Sequence, residues 1–415
     1  MNKGSKVLKL ISLEKERQND TLMLIPSENY TYPEVRFAVG SVLMHKYSEG
    51  YPFKRYYQGN KYVDEIETYA IDLAKKVFNT PHANVQPYSG SPANAAVYFG
   101  LLKEKDTIMG LSLSSGGHLT HGHPKITFSG KYFNSIQYGV DDNGFIDYEN
   151  LSKLAKKYKP KLIVAGLTSY PRILDWSKFS LVAESVGAIL LADISHIAGL
   201  VAGGEHPSPV KYAHVITTTT HKTLRGPRGA IIMVTQKGLD KDPNMGVKVD
   251  RAVFPGFQGG PHNNQTAGIA IALENALKPD FKRYARQTVK NAKFLGIELA
   301  KYGFSLVTEG TDNHLLLIDL RNKNTTGKLL ATALEEAGII VNYNAVPKDP
   351  NPPMNPSGIR IGTPAVTVRK MQMGEMKLIA KFINKSVENL NNKNVLKQVA
   401  REVKDLCNKF PVDLN

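Results

Sequence analysis

The chain has 415 residues, of which 42% are hydrophobic and 22% are charged, and its formal net charge is +16. This ordinary globular composition, at this length, is sufficient for two or three domains with sizeable cores. A single cysteine, Cys407, excludes an intrachain disulfide and indicates a reducing, cytoplasmic compartment. No apolar run approaches the roughly 18 residues that cross a bilayer, and the first twenty residues lack the apolar core of a signal peptide, so we expect neither feature.

The positive charge is spread along the chain. Its lysines lie in segments with helical character, such as LSKLAKKYKPK and NNKNVLKQVAREVKDLCNK, and they form no basic block interleaved with aromatic residues. Solvated helix faces are the favoured interpretation, so a nucleic-acid partner is disfavoured. A field of this sign would still attract a polyanionic small ligand.

The N-terminal quarter contains an arm and a tyrosine-rich loop. Residues 1–20 predict a short amphipathic helix, and residues 1–25 are assigned to an N-terminal arm. The segment LIPSENY follows, where Ser27 after Pro26 could cap a helix. The next segment, HKYSEGYPFKRYYQGN, combines tyrosines with two glycines and a proline, which predicts a loop that carries rigid aromatic side chains.

Two loops with binding potential follow. NVQPYSGSPANAAVYFGLL predicts a loop and then a helix from about Pro92, with Ser89, Gly90 and Ser91 just ahead of it. A helix N-terminus offers free N–H groups and a positive dipole end, which suit a phosphate. The second loop, SSGGHLTHGHP, follows the strand-like IMGLSL. Its three histidines suggest a metal, but no cysteine or carboxylate completes a ligand set nearby, so we expect none.

Residues 160–262 predict a buried parallel sheet. Three short apolar runs, KLIVAGLTS, AILLADISH and HVITTTTH, are separated by the helix-like stretches 176–186 and 208–212. Ligands of such sheets bind at the carboxyl ends of the strands. The polar residues at those ends are Thr168, Asp193, His196 and Lys222.

Two of these residues have chemistry of their own. Lys222 follows the threonine run and precedes a Gly/Pro-rich turn, and a partly desolvated lysine has a lowered pKa that frees its amine for Schiff-base chemistry. The alternative is a solvated loop lysine. Asp193 ends an apolar strand, where a buried carboxylate requires a cationic partner. The alternative there is a helix cap.

The C-terminal part predicts a smaller α/β domain. Residues 263–300 suggest a long helix, and LKPD near residue 279 is the predicted domain junction. FSLVTE, HLLLIDL and GIIVN predict strands, TGKLLATALEEAG a helix, and the last forty residues helices. Arg360 lies between two apolar residues in SGIRIGTPA, and its guanidinium fork matches a carboxylate.

Taken together, these motifs resemble the serine hydroxymethyltransferase family. TTTTHKTLRGPRG is similar to the family's cofactor-lysine segment, and LIPSEN, KYSEGYP, RYYQGN, NVQPYSGSPAN, GGHLTHG, DISHIAGL, FQGGP, TDNHL and SGIRIGTPA occur in family order from about residue 24 to 366. The resemblance implies a pyridoxal 5'-phosphate (PLP) enzyme of the aminotransferase-like fold type I. Its large domain, residues 26–278, would hold a mostly parallel seven-stranded sheet, and residues 279–415 the small α/β domain.

The family activity implied is reversible one-carbon transfer from L-serine to tetrahydrofolate, which gives glycine and 5,10-methylenetetrahydrofolate. The implied assembly is a homodimer with shared active sites, or a tetramer, and the N-terminal arm would reach the second subunit. Two positions depart from the family pattern: Gln58 stands where a glycine is usual, and Pro92 where a glutamine is more frequent.

The resemblance also implies residue roles. Lys222 would hold PLP, Asp193 would meet its pyridine nitrogen, and His118 would stack on its ring. The implied catalytic residues are Lys222, Glu49, His221 and Tyr57. The implied cofactor-binding residues are Ser89, Gly90, Ser91, His118, Thr168, Asp193, His196, Lys222, Tyr47, Gly259 and Gly260. The implied substrate-binding residues are Ser27, Glu49, Tyr57, His196 and Arg360. The implied folate-binding residues are Leu113, Gly117, Leu119, Tyr56 and Asn344. Arg228 would support the lysine loop.

Two other interpretations remain open at this point. A folate-independent PLP aldolase of β-hydroxy amino acids would use the same lysine, aspartate and arginine. The tyrosine-rich loop, with Leu113, Leu119 and Asn344, argues for folate instead. A basic nucleic-acid-binding protein would show strongly salt-dependent affinity for RNA, but no RNA-binding motif is visible in the sequence.

Overall fold

A computed structural model describes residues 5–124 and 126–414. The described residues form two compact units: one is Glu34–Arg286, and the other joins the residues up to Pro33 with those from Gln287 onward. Residues 1–4 of the predicted arm lie outside the described part. The division into 1–25, 26–278 and 279–415 stays a prediction about domains.

The strands are short, and most are rich in branched or aromatic residues, which favour extended backbone. In chain order they are β1 (Leu22–Met23), β2 (Gly50–Tyr51), β3 (Lys54–Arg55), β4 (His82–Asn84), β5 (Thr107–Leu111), β6 (Asn134–Tyr138), β7 (Leu162–Gly166), β8 (Ile189–Asp193), β9 (Val215–Thr219), β10 (Ala230–Val234), β11 (Ser305–Leu306), β12 (Leu315–Asp319), β13 (Ile339–Ile340), β14 (Asn342–Asn344) and β15 (Gly358–Gly362).

The helices are connected by short loops, and several begin at a polar cap, as where the Asp175 carboxylate accepts the N–H groups of Ser177 and Lys178. In chain order they are α1 (Lys6–Asp20), α2 (Pro33–Val39), α3 (Lys61–Phe78), α4 (Gly90–Leu101), α5 (Phe128–Tyr132), α6 (Tyr148–Tyr158), α7 (Trp176–Ser185), α8 (Ala198–Gly203), α9 (Gln236–Lys241), α10 (Met245–Arg251), α11 (Asn263–Ala276), α12 (Pro279–Lys301), α13 (Gly327–Glu336), α14 (Pro364–Val368), α15 (Met373–Val387) and α16 (Lys393–Lys409).

The unit Glu34–Arg286 is built on a seven-stranded sheet within the described residues, in the order β4-β10-β9-β8-β7-β5-β6. Strands β5 to β9 run parallel, and β10 pairs antiparallel with both β9 and β4. Strands β7, β9 and β10 are buried along their whole length, as expected for a sheet covered on both faces. The prediction of a mostly parallel seven-stranded sheet is confirmed.

Two helix predictions are wrong. Residues 208–212 form no helix, because Pro207 and Pro209 remove backbone donors and only 210–212 form a turn, and the helix between β8 and β9 is α8. The predicted continuous helix over 263–300 is interrupted after Ala276, because Pro279 disfavours helical backbone at the residue before it. Helix α4 begins at Gly90, two residues earlier than predicted.

The other unit contains a four-stranded antiparallel sheet in the order β11-β12-β15-β14, and β1 pairs in parallel with β13. Leucines and isoleucines of these strands share one buried core with α13, α15 and α16. Arg369 is almost fully buried here, and its guanidinium donates to the backbone carbonyls of Gln18 (2.6 Å), Asn19 (2.9 Å) and Phe410 (2.9 Å). One cation therefore fixes the end of α1 to the end of α16.

Across residues 5–124 and 126–414, none of the helices combines the length and apolar character that crossing a bilayer requires.

His214 directly precedes β9, and its imidazole ring is held in a fixed protonation state. It is 4% exposed, and its Nδ1 accepts the backbone N–H of Leu190 at 2.9 Å, which requires Nδ1 to be unprotonated. Burial, with the positive charges of Lys241 and Lys237, lowers the pKa of His214 to about 4. The folded state therefore resists protonation at a strand that leads directly to Lys222.

This histidine makes folding sensitive to acid. The unfolded side chain titrates near pH 6.5, so between pH 6.5 and 4 the unfolded state binds a proton that the folded state does not. The free energy of unfolding therefore decreases as the pH is lowered through this range. We expect the wild-type free energy of unfolding to fall by up to about 3 kcal/mol more than that of His214→Asn over this window. Urea unfolding at several pH values measures it. Asn retains an acceptor near the Nδ1 position, His45→Asn at an exposed site is the control, and parallel pH curves for wild type and His214→Asn would contradict the argument.

Candidate active site

The strongest feature of the unit Glu34–Arg286 is a buried carboxylate. Asp193 ends β8 and is 6% exposed. Its Oδ2 accepts hydrogen bonds from Asn94 Nδ2 at 2.9 Å and His121 Nε2 at 3.1 Å, and its Oδ1 accepts from the Ser195 backbone N–H at 3.0 Å. Burial raises its pKa, but the hydrogen bonds, above all the one from His121, hold the pKa of Asp193 well below its usual range. Asp193 is therefore a fixed anion.

Asp193 lies in a row of strand ends. The register places it beside Gly166 of β7 and Thr217 of β9. Thr217 Oγ1 donates to Asn94 Oδ1 at 2.7 Å, so α4 is tied to β9 and to the carboxylate by the same asparagine. The carboxyl edge of the parallel sheet and the N-terminal half of α4 therefore meet at Asp193.

The N-terminus of α4 lies close against β9. Gly90 is the first helical residue, and a Cβ built on it would lie 2.7 Å from Thr219 Cγ2, so a side chain there would force the helix away from the strand. Ser89 precedes the helix with an extended backbone, and Ser91 is exposed. The first N–H groups of a helix have no partner within it, and such an end binds anions.

The loop after β9 is closed by Thr220. Its N–H donates to the Gly229 carbonyl at 3.1 Å, its Oγ1 donates to the Pro227 carbonyl at 2.6 Å, and its own carbonyl accepts the Gly226 N–H at 2.8 Å. Lys222 is half-buried within this loop, and Arg228 is exposed on it. The loop is therefore a compact structure that holds the lysine just beyond the sheet edge.

The lysine loop is also joined to the segment after β8. Thr223 Oγ1 donates to the His196 carbonyl at 3.1 Å and accepts the Gly199 N–H at 2.9 Å. His196 is 2% exposed. Lys222 and His196 are therefore held by neighbouring, directly bonded backbone segments.

His221 has an unused buried nitrogen. Burial, with the charges of Lys222 and Arg228, lowers its pKa to about 3, so its ring is neutral near pH 7. Its Nδ1 is buried and has no hydrogen-bond partner among the described residues. An unpartnered buried nitrogen costs free energy unless a ligand or water meets it.

The histidine loop folds over the same edge. His118 is half-buried, and its Nδ1 lies 2.7 Å from Thr120 Oγ1. Thr168, just after β7, donates from Oγ1 to the Gly117 carbonyl at 2.6 Å. Leu113 and Leu119 are 40% and 41% exposed. Thr168 thus anchors the loop that carries His118. In the sequence of this loop, one exposed leucine precedes His118 and the other follows it. Among the described residues, no group of three or more His, Cys, Asp or Glu side chains could hold a metal ion.

A second cluster of predicted residues lies in the tyrosine-rich loop. The Tyr47 and Tyr57 rings meet edge to face at 5.0 Å, and the charge of Glu49 raises the pKa of the Tyr57 phenol beside it. A Cβ on Gly259 would lie 3.1 Å from Glu49 Oε1, and one on Gly260 would lie 3.3 Å from the Tyr47 ring. The loop containing these glycines therefore packs against the tyrosine and glutamate side chains. Tyr56, from the same segment, is 74% exposed.

Arg55 holds this loop in shape. Its side chain is 3% exposed, and its Nη1 donates to the carbonyls of Ser48 (2.9 Å) and Gly50 (2.8 Å), on either side of Glu49. Its Nε and Nη2 pair with Asp64 (2.8 Å) and Glu67 (2.7 Å) of α3. One buried guanidinium thus joins α3 to the backbone that presents Glu49.

The other unit holds the remaining predicted residues. Arg360 in β15 is half-buried, its Nε donates to Asn342 Oδ1 at 3.1 Å, and burial lowers its pKa to about 10, so it stays cationic near neutrality. Ser27 lies in a turn beside Gly362, whose N–H donates to the Leu24 carbonyl at 2.7 Å. A Cβ on Gly362 would lie 2.7 Å from Pro26 Cβ. The Ser27 turn therefore packs against the end of the strand that carries Arg360.

Asn344 is half-buried in β14, and its Nδ2 donates to the Ala345 carbonyl at 2.7 Å.

Sequence reasoning missed two contributors to the site. Asn94 and His121 both donate to Asp193. Asn94 is an ordinary polar residue within an alanine-rich helix, and no sequence pattern distinguishes it. His121 is one of three histidines whose clustering suggests a metal, and its spacing from His118 is the one local signal of its role.

Comparison with known proteins gives a consistent result. A family model described as serine hydroxymethyltransferase matches residues 1–383. The serine hydroxymethyltransferase of Desulfotalea psychrophila is 52% identical over 405 residues, which covers 98% of this chain and 93% of that protein. Those of Acidothermus cellulolyticus and Sorangium cellulosum are 52% and 53% identical, with 97% and 98% of this chain and 94% of each relative covered.

The Arg55 network provides a test of how the Glu49 loop is held. Arg55→Met would leave Glu67 buried without its cation, which costs about 3–5 kcal/mol, and would release the carbonyls beside Glu49. We expect urea unfolding experiments to show a decrease of this size in the free energy of unfolding, and we expect faster proteolysis within residues 48–57. The double variant Arg55→Met/Glu67→Gln should recover part of the stability but not the protection of the loop. Arg401→Met, at an exposed arginine, is the control, and unchanged proteolysis in Arg55→Met would contradict this role.

Proposed function

Because the chain belongs to the serine hydroxymethyltransferase family, we propose that its own side chains perform the family reaction in the roles set out below. The chain is a PLP-dependent enzyme that reversibly transfers a one-carbon unit from L-serine to tetrahydrofolate, giving glycine and 5,10-methylenetetrahydrofolate. The observation that carries the proposed assignment of roles is the buried, ionised Asp193 at the sheet edge, beside a helix N-terminus and a lysine loop.

The residues at this edge fit PLP. The cofactor has a phosphate, a pyridine nitrogen that is cationic when protonated, and a carbonyl that an amine can capture. Ser89, Gly90 and Ser91 at the start of α4 would hold the phosphate, and Lys222 would capture the carbonyl. The buried Nδ1 of His221 has no hydrogen-bond partner within the described part of the chain, so a polar atom of the ligand is expected to meet it. When bound, PLP supplies an electron sink for a bond broken at the substrate Cα.

Asp193 would hold the proton on the pyridine nitrogen. Its carboxylate is ionised and fixed by three donors, so it stabilises a cation without having to reorganise. His118 would cover one face of the ring, since a flat imidazole stacks well on a flat heterocycle. Thr168 and His196 would contact the polar groups at the far edge of the ring.

The substrate carboxylate would be bound by Arg360 with Ser27. A guanidinium matches a carboxylate bidentately, and Arg360 stays charged near neutral pH. Glu49 would move protons at the hydroxymethyl group, and Tyr57 would orient the groups there, because the phenol beside this carboxylate keeps its proton and can donate a hydrogen bond. The folate would contact Leu113, Gly117, Leu119, Tyr56 and Asn344.

The tyrosine cluster would act on a second chain. Tyr47 and Tyr57 are 55% and 44% exposed, and Gly259 and Gly260 lie against Tyr47 and Glu49. An exposed aromatic cluster that surrounds a carboxylate suits an interface. The proposed assembly is a homodimer, or a tetramer built from two such dimers, in which this cluster completes the partner's site. The proposed location is the cytoplasm, consistent with the single buried cysteine.

Complementation tests the shared site. Lys222→Ala and Glu49→Gln would each inactivate the homodimer. In a heterodimer of the two, purified through two different tags, one site would carry both defects and the other none. We expect about half of the wild-type activity per heterodimer, by counting intact sites, because each site combines both chains. If Lys222 and Glu49 act within one chain, both sites are defective and the heterodimer is inactive.

The absorbance spectrum tests the reaction itself. Purified protein should carry a yellow PLP chromophore, and a long-wavelength band should grow strongly only when tetrahydrofolate is added after glycine. A chromophore that responds to glycine but ignores folate would favour the folate-independent aldolase. Absence of a chromophore after PLP is supplied would refute the PLP roles proposed for Lys222 and Asp193.

A further inference from the structure

His121 bridges two parts of the site. It is 1% exposed, its Nε2 lies 3.1 Å from Asp193 Oδ2, and its Nδ1 accepts the backbone N–H of His118 at 3.2 Å. Because Nδ1 is an acceptor, the ring hydrogen must be on Nε2, where it is donated to the carboxylate. One imidazole therefore makes a hydrogen bond to the carboxylate at the end of β8 and another to the backbone N–H of His118.

The surrounding backbone leaves room for His121 and little else. A Cβ on Gly110 of β5 would lie 2.2 Å from the His121 carbonyl oxygen, and one on Gly166 of β7 would lie 3.0 Å from its Cε1. Gln137 Nε2 donates to the His121 carbonyl at 3.1 Å. Three neighbouring strands thus fix both the backbone and the ring of this residue.

We propose that His121 is a positioning residue for the cofactor site. It orients the Asp193 carboxylate and, through the His118 backbone N–H, sets the position of the residue proposed to stack on PLP. The inference rests on the proposed PLP site and deepens it. Asn94 donates to the same Oδ2, so the two donors together direct that oxygen, while Ser195 directs the other.

This role differs from simple packing in what it affects. A packing residue would change stability alone. A residue that orients Asp193 also changes how tightly PLP binds and how the bound chromophore absorbs, because both depend on the anion at the pyridine nitrogen. Loss of one donor to a buried carboxylate corresponds to a change of about tenfold to a hundredfold in a dissociation constant.

Three substitutions separate the two bonds of the ring. His121→Leu removes both bonds. His121→Gln places an amide N–H near the Nε2 position and so keeps a donor toward Asp193. His121→Asn places an amide oxygen near the Nδ1 position and so keeps an acceptor for His118. His123→Gln, at a half-buried histidine of the same loop whose Nδ1 lies near the Pro124 carbonyl, is the matched control.

The measurements are the PLP dissociation constant, from titration of the apoprotein, the absorbance maximum of the bound cofactor, and the thermal unfolding midpoint of each apoprotein. We expect His121→Leu and His121→Asn to raise the dissociation constant about tenfold to a hundredfold and to shift the absorbance maximum. We expect His121→Gln to stay within about threefold of wild type, as a retained donor implies. The His123→Gln control should match wild type.

The outcomes are distinct. If the Leu variant binds PLP with the wild-type constant and maximum, or if the Gln variant is as impaired as Leu, His121 does not position the carboxylate and the inference is wrong. If the Leu variant does not fold, the Gln and Asn variants decide the question alone. If wild type itself binds no PLP while remaining folded, the proposed cofactor site fails, which is a different result.

Discussion

The site is organised around one buried anion. Asp193 stays ionised in a place where an isolated carboxylate would be protonated, because three donors from three segments of the chain converge on it. Each donor belongs to a different segment: Asn94 lies in α4, His121 lies in the histidine loop, and Ser195 follows β8. Because a buried charge has to be stabilised by hydrogen-bond donors of the protein, the need for these donors determines which segments lie at the sheet edge.

Close backbone approach is the second constraint. Gly90 lets α4 lie against Thr219, and Gly110 and Gly166 leave space for His121. The lysine loop is closed by hydrogen bonds from Thr220, and it is tied to the segment of His196 by Thr223. Threonine hydroxyls and absent side chains thus build the rigid surroundings that a preorganised active site requires.

The cluster formed by Tyr47, Glu49 and Tyr57 is held in place in a different way. Tyr47 and Tyr57 are exposed and Glu49 is half-buried, yet the backbone beneath them is fixed by the buried cation of Arg55, which joins two carboxylates of α3 to the carbonyls on either side of Glu49. Such an arrangement preserves the shape of an exposed loop without covering it. It suits groups that act on a ligand held elsewhere, as in the proposed exchange between two chains.

The sequence by itself determined β5, β7, β8 and β9 and the polar residues that follow them, because apolar runs and the turn residues that end them are local signals, whereas the more polar β6 (Asn134–Tyr138) gave no such signal. It also carried the family motifs. It misjudged residues 208–212, where two prolines prevent a helix, and the continuity of 263–300, where Pro279 interrupts one. Tertiary structure alone decided the partners of Asp193. Asn94 and His121 are 99 and 72 residues away along the chain, and a hydrogen bond over that separation leaves no periodicity or spacing in the sequence. Only the folded sheet brings those donors to one carboxylate, because burying its charge is favourable only where all three are already in place.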